Sequence, residues 1–162
     1  MELAQRHVVI TGGAGGIGRA LARRIDAAGA RAVVIADREL AAAGRIAEEI
    51  GGTAVELDAG SEASVRALIE RASAAHGPID VFISNAGVPG AMGGPEADDA
   101  SFDEAWRVNV MAHVWAARAP PSPAAARGPP TRVPSRSPAT LRRTTHPPPR
   151  ARPSRRAPPH WR

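Results

Sequence analysis

Cysteine is absent from the 162-residue chain, and so are lysine and tyrosine. The first absence excludes a disulfide scaffold, a thiolate metal site and a cysteine nucleophile, and no residue set is assigned to a metal. Without lysine, all 21 basic residues are Arg. Long hydrophobic runs are missing too: none approaches the ~18–20 apolar residues of a membrane span, and Met1 to Arg6 does not read as a signal peptide. A soluble, cytoplasmic protein with one domain's worth of core is expected. Acid is missing from one end only. Residues 119–162 contain ten Arg and no Asp or Glu, a net of +10, together with 13 of the 16 prolines. Residues 1–118 hold all 16 acidic residues and 11 Arg, a net of −5, so the overall +5 describes neither part.

What is present in residues 1–118 alternates. His7 to Thr11 is a short apolar run closed by glycines and reads as a buried parallel strand. A helix comes next, with Ile17, Leu21 and Ile25 spaced by four on one face and Gly29 just beyond its end. Ala32 to Asp37 is a second strand. Leu40, Ala43, Ala47 and Ile50 mark a second helix that stops at Gly51-Gly52. Thr53 to Asp58 is a third strand, more polar, as suits a sheet edge. Ser61 is the expected N-cap of a third helix whose inward residues are Val65, Leu68 and Ile69 and whose stop is Gly77-Pro78. Ile79 to Ser84 is a fourth strand with an open apolar edge. After a loop rich in Gly, Pro and Asp, Ser101 is the expected cap of a helix from about Phe102 to about Arg118. The pattern predicts an α/β domain with a doubly wound parallel sheet, ending after the fourth strand and its succeeding helix.

Two features carry chemistry. Thr11-Gly12-Gly13-Ala14-Gly15-Gly16-Ile17-Gly18 lies where the first strand ends and the first helix begins. Glycines there permit a sharp turn, a close approach by a pyrophosphate and tight helix–strand packing. The first-turn N–H groups and the helix dipole then face the phosphates. Asp37 ends the second strand, where a carboxylate can accept both hydroxyls of an adenosine ribose and repel a 2′-phosphate. Its other reading is a cap for the second helix. Arg38 is adjacent and can partner a phosphate, which weighs on the side of NADP.

With Asp58 after the third strand, Asn85-Ala86-Gly87 after the fourth and Val108-Asn109-Val110 in the last helix, the chain resembles the short-chain dehydrogenase/reductase family from about residue 5 to about 118. The resemblance implies a Rossmann-like fold and hydride transfer between NAD(P) and a small alcohol or carbonyl compound. It implies that Thr11, Gly12, Gly16, Ile17 and Gly18 lie at the pyrophosphate, Asp37 and Arg38 at the adenosine ribose, and Asp58 with Ala59 at the adenine edge. Asn85, Ala86 and Gly87 would line the nicotinamide side. Asn109 matches the family's active-site Asn, its other reading being a polar residue on a solvated helix face. Gly15 stands where NADP-using members often carry a basic residue, which favours NAD. The family's Ser, Tyr and Lys have no matching positions, and for Tyr and Lys the chain holds no candidate at all. His113, His146 and His160 match no family motif. The chain as written is therefore expected to lack activity; the alternative is a non-catalytic dinucleotide-binding module with a basic interaction tail. The family's homo-oligomers are in doubt here, because one of the usual interface helices is missing.

Residues 119–162 offer only Val133, Leu141 and Trp161 as large apolar side chains. They cannot offset chain entropy of ~1–2 kcal/mol per ordered residue, so a disordered or polyproline-like segment is expected. Arg among prolines can meet phosphates or act as a Pro-rich ligand, but only Trp161 could stack on a base, which argues against nucleic acid. The abrupt change to Pro, Arg, Ala, Ser and Thr is also what a GC-rich gene gives when read out of frame.

Overall fold

The structure is a computed structural model and describes residues 2–90 and 98–119. The expectations for the Pro/Arg-rich segment beyond 119 lie outside the described residues. Four parallel strands form the sheet: β1 His7–Thr11, β2 Ala32–Asp37, β3 Thr53–Glu56 and β4 Val81–Ile83, in the order β3-β2-β1-β4. Val9 stands opposite Val34 on one side and Phe82 on the other, and Ile35 stands opposite Ala54. Among the described residues β4 ends the sheet, and its three residues are half-buried.

Alternation along each strand divides the apolar residues between two layers. Val8, Ile10, Val33 and Ile35 face α1 (Gly16–Ala27) and α2 (Leu40–Ile50), which supply Ala22, Ile25, Ala43, Ile46 and Ala47. Val9, Val34, Ala36 and Val55 face the other way, against Val65, Leu68 and Ala72 of α3 (Glu62–His76) and Trp115 of α5 (Ala112–Arg118). Strands buried on both faces explain the near-continuous apolar runs of β1 and β2.

Boundaries depart from the sequence pattern in places. β3 stops at Glu56 and β4 spans only Val81–Ile83, because pairing with the neighbouring strand ends there. Ser61 does cap α3, its hydroxyl accepting the Ser64 N–H. The last helix is capped by Asp98 rather than Ser101: the Asp98 carboxylate accepts the Ser101 N–H at 2.7 Å, and α4 runs Asp99–Trp106. A π-helical turn, Arg107–Met111, then separates α4 from α5. Ile17 is 74% exposed and Leu40 45%, so neither belongs to the inward stripe to which a spacing of four or three assigns it. Both stand in the first turn of their helix, before the helix lies over the sheet.

Candidate functional site

The chain runs β1, β2, β3 in one direction across the sheet and then crosses to the far side of β1 to form β4. At such a reversal the loops leaving the carboxyl ends of β1 and β4 diverge and open a crevice. A cavity of about 1230 Å³ lies there, walled by the loops after all four strands and by α4.

Its floor is the β1–α1 turn. Gly12 has φ 63°, and a Cβ there would stand 2.8 Å from the Ala86 Cα, so both conformation and space demand glycine. A Cβ on Gly18 would collide with the Gly12 carbonyl oxygen. Gly16 is the contrast: a Cβ there meets no atom within 4 Å, because the residue opens onto the cavity. Gly15 is the N-cap of α1, no side chain caps the helix, and its first turn holds no acidic residue. The first N–H groups and the positive end of the dipole are left to an outside anion.

Hydrogen bonds from the loops after β2 and β4 fix this turn, and the loop after β3 is fixed within itself. Asp37 accepts the Ala14 N–H at 2.9 Å through one carboxylate oxygen and the Glu39 N–H at 3.1 Å through the other, tying the glycine turn to the end of β2. The N-cap of α2 is Glu39, so Asp37 braces the approach to that helix without being its cap. Each carboxylate oxygen keeps a second lone pair for a ribose hydroxyl. The Asn85 side-chain amide donates to the carbonyls of Thr11 and Gly12 at 3.0 and 3.2 Å, and the Thr11 hydroxyl accepts the N–H groups of Asn85 and Ala86, each at 3.0 Å. Asp58 accepts the Gly60 N–H at 2.9 Å and donates its own N–H to the Ser64 hydroxyl.

Asn109 sits in the π-helical turn and grips the loop after β4 at both ends: Val88 donates its N–H to Asn109 Oδ1, and Asn109 Nδ2 donates to the Val88 carbonyl, each at 2.9 Å. A Cβ on Gly87 would stand 3.3 Å from the same oxygen.

The structure thus brings Gly12, Gly16, Ile17, Gly18, Asp37, Arg38, Asp58, Ala59, Asn85, Ala86 and Gly87 around one cavity. Thr11 lies behind its wall, 3% exposed, and Asn109 stands behind Gly87 and Val88 rather than among the lining residues. Sequence reasoning missed the wall that Asp103 and Glu104 of α4 and Arg107 of the π-helical turn contribute beside Val108, and Arg107 Nε donates to the Gly60 carbonyl at 3.0 Å. No local pattern marks Asp103, Glu104 or Arg107, since they are ordinary helix residues until the fold turns them toward the crevice. His113 is exposed and is not among the lining residues. Among the described residues no three His, Asp or Glu side chains gather as a metal site, and no helix is long and apolar enough to cross a membrane.

The uncapped α1 turn, the open face of Gly16 and the two free lone pairs of Asp37 fit a dinucleotide. Comparison with known proteins agrees: residues 6–123 match the short chain dehydrogenase family, and the chain belongs to it. It is 41% identical over 113 residues to the mitochondrial (-)-isopiperitenol/(-)-carveol dehydrogenase of Mentha piperita, covering 67% of this chain and 43% of the relative. Its structure resembles a 3-ketoacyl-(acyl-carrier-protein) reductase from Brucella melitensis complexed with NADH, with TM-score 0.67, 35% identity, and coverage of 72% of this chain and 49% of that one. It also resembles a blue fluorescent protein from a metagenomic library in complex with NADPH, with TM-score 0.66, 28% identity, and coverage of 74% and 53%. The chain therefore spans about half the length of the relatives it matches. Dinucleotide binding of the NAD(P) type is the family's property; the two complexes carry different nucleotides.

Proposed function

We propose that this chain binds NAD(H) in preference to NADP(H), in the register that the family resemblance implies. The observation that carries the reading is the pairing of an open Gly16 at the uncapped start of α1 with Asp37 at the end of β2. Gly12, Gly16, Ile17 and Gly18 would hold the pyrophosphate, Asp37 the adenosine ribose, Asp58 and Ala59 the adenine edge, and Asn85 to Gly87 the nicotinamide side. Asp37 supports NAD because its carboxylate accepts ribose hydroxyls and repels a 2′-phosphate. When bound, the nicotinamide supplies hydride to a carbonyl carbon or takes it from an alcohol.

The 162 residues supply binding and orientation without the proton chemistry. They contain no Tyr and no Lys, and a positioned acid/base contributes roughly 10²–10⁴-fold to such a transfer. The chain as written is accordingly a dinucleotide-binding module with negligible turnover of alcohols or ketones. Asn109 fixes the Val88 loop with one bond at each end of its amide, which keeps a second lone pair on Oδ1 and a second N–H on Nδ2. Titration of the purified chain with NADH, followed by nucleotide fluorescence, tests the reading. Binding is expected, with a clear loss in Gly16→Val, whose side chain fills the open space. Equal affinity for that variant, or no affinity in the parent chain, contradicts it. Turnover at ~1–10³ per second would show that another residue has taken the acid/base role.

A further inference from the structure

The adenosine end of the cavity is bridged from α4 and the start of the π-helical turn. Glu104 and Arg107 reach opposite lips: Glu104 Oε1 lies 4.0 Å from Arg38 Nη1 at the exit of β2, and Arg107 Nε is bonded to the Gly60 carbonyl beyond β3. Among the described residues that line the cavity, Arg38 and Arg107 are the only cations, against the carboxylates of Asp37, Asp58, Asp103 and Glu104. Arg107 is held by Gly60, so Arg38 is the guanidinium left beside the ribose position. A guanidinium there is a strong partner for phosphate, to which it can donate two parallel N–H bonds.

We propose that Glu104 is a specificity-determining residue: by engaging Arg38 across the cleft, it withholds that guanidinium from a 2′-phosphate and turns the site toward the dinucleotide with a free 2′-hydroxyl. The inference rests on the dinucleotide reading above and adds a discriminating element from a helix that reading does not use. A 2′-phosphate must displace Glu104 from Arg38 before it can be neutralised, and until then it faces the Asp37 carboxylate without a partner cation. A ribose hydroxyl meets neither cost. The device therefore acts on the ratio of NADP(H) to NAD(H) affinity. Arg38 and Glu104 side chains are 74% and 61% exposed, so the effect is moderate and sensitive to salt, and substitution of either leaves the fold intact.

The test uses the full 162-residue chain and measures Kd for NADH and for NADPH by nucleotide fluorescence, at low salt and at about 1 M salt. Glu104→Gln should tighten NADPH roughly two- to fivefold relative to NADH, the range expected for an exposed ion pair. The shift should vanish in an Arg38→Ala background and shrink at high salt, where the screening length falls to about 3 Å. If both nucleotides bind the parent chain and Glu104→Gln leaves their ratio unchanged, the role of Glu104 is overturned while the dinucleotide reading stands. A shift that persists in the Arg38→Ala background overturns it too, because Glu104 would then act without Arg38. If neither nucleotide binds the parent chain, both readings fall together.

Discussion

Gly16 and Gly18 are two residues apart and meet opposite fates on gaining a methyl group. At Gly18 the new Cβ would strike the Gly12 carbonyl oxygen, a backbone atom that cannot swing aside; at Gly16 it enters the cavity. Gly18→Ala should cost about 1–3 kcal/mol in urea unfolding, as overpacking does, and should weaken NADH binding. Gly16→Ala should leave the urea midpoint in place. Gly44 provides a calibration: it sits inside α2 with nothing within 4 Å of its Cβ position, so Gly44→Ala should stabilise by about 0.5–1 kcal/mol through helix propensity alone. A loss of stability there would mean that α2 packs more tightly than its geometry indicates. The glycine turn is legible in the sequence because close packing leaves glycine no substitute at Gly12 and Gly18. Ile17 is not, because a spacing of four records which side of a helix a residue lies on and not whether the sheet extends beneath it. The first turn of α1 opens over the crevice, and Ile17 stays exposed.

Strands and helices are legible wherever both faces of a strand are buried, since apolar runs there have one explanation. The last helix is less so. Its start depends on one carboxylate, Asp98 accepting the Ser101 N–H, and its middle on the π-helical turn Arg107–Met111, which has no sequence signature. Such turns insert an extra residue, re-aim the helix beyond them and concentrate at functional sites. Here the turn contains Asn109, whose amide closes two hydrogen bonds with Val88. Asn109→Ala should cost about 1–2 kcal/mol, two ordinary hydrogen bonds, and should speed amide exchange at Val88 while exchange in β1 stays slow. Asn109→Asp, which keeps the acceptor for the Val88 N–H, should protect that amide better than Ala does. Equal exchange at Val88 in the parent and Asn109→Ala would remove Asn109 from its place as the brace of this loop. The contacts from α4 and the π-helical turn to the far lips are invisible in sequence for a related reason. Glu104 and Arg38 are 66 positions apart, and only the sheet order brings them to one crevice.

For the molecule as a whole, the cavity at the carboxyl ends of the strands has a counterpart at the amino ends, where a polar cluster joins β1, α3 and the approach to β4. His7 is fully buried. Its Nδ1 lies 3.0 and 3.1 Å from the carbonyl oxygens of Gly77 and Pro78, which makes Nδ1 the protonated donor and leaves Nε2 buried without a partner. Burial lowers the His7 pKa below its ordinary 6.5, the nearby His76 and Arg31 lower it further, and the two carbonyls only partly offset them. The backbone of His7 is bonded in turn to Asp80, whose carboxylate accepts the His7 N–H at 2.8 Å and faces Arg6 and Arg31. Burial works to raise the Asp80 carboxyl, but the His7 N–H and the two arginines outweigh it and hold it below the usual 3.8. The unfolded chain protonates at His7 near pH 6.5 and the folded chain only at lower pH, so in that interval the unfolded state binds more protons and stability rises with pH. The contribution is complete above about pH 6.5 and is lost as pH falls toward the lowered folded value. Asp80 acts in a separate window, adding stability that is lost as pH falls below about 3.8. The urea midpoint of the parent chain should therefore drop between pH 7.5 and pH 5.5. His7→Gln, which keeps a donor for the two carbonyls and cannot titrate, should start lower at pH 7.5 and show a clearly shallower drop. A parallel fall in the two proteins would assign the acid sensitivity to other groups and leave the buried Nε2 of His7 without consequence for stability.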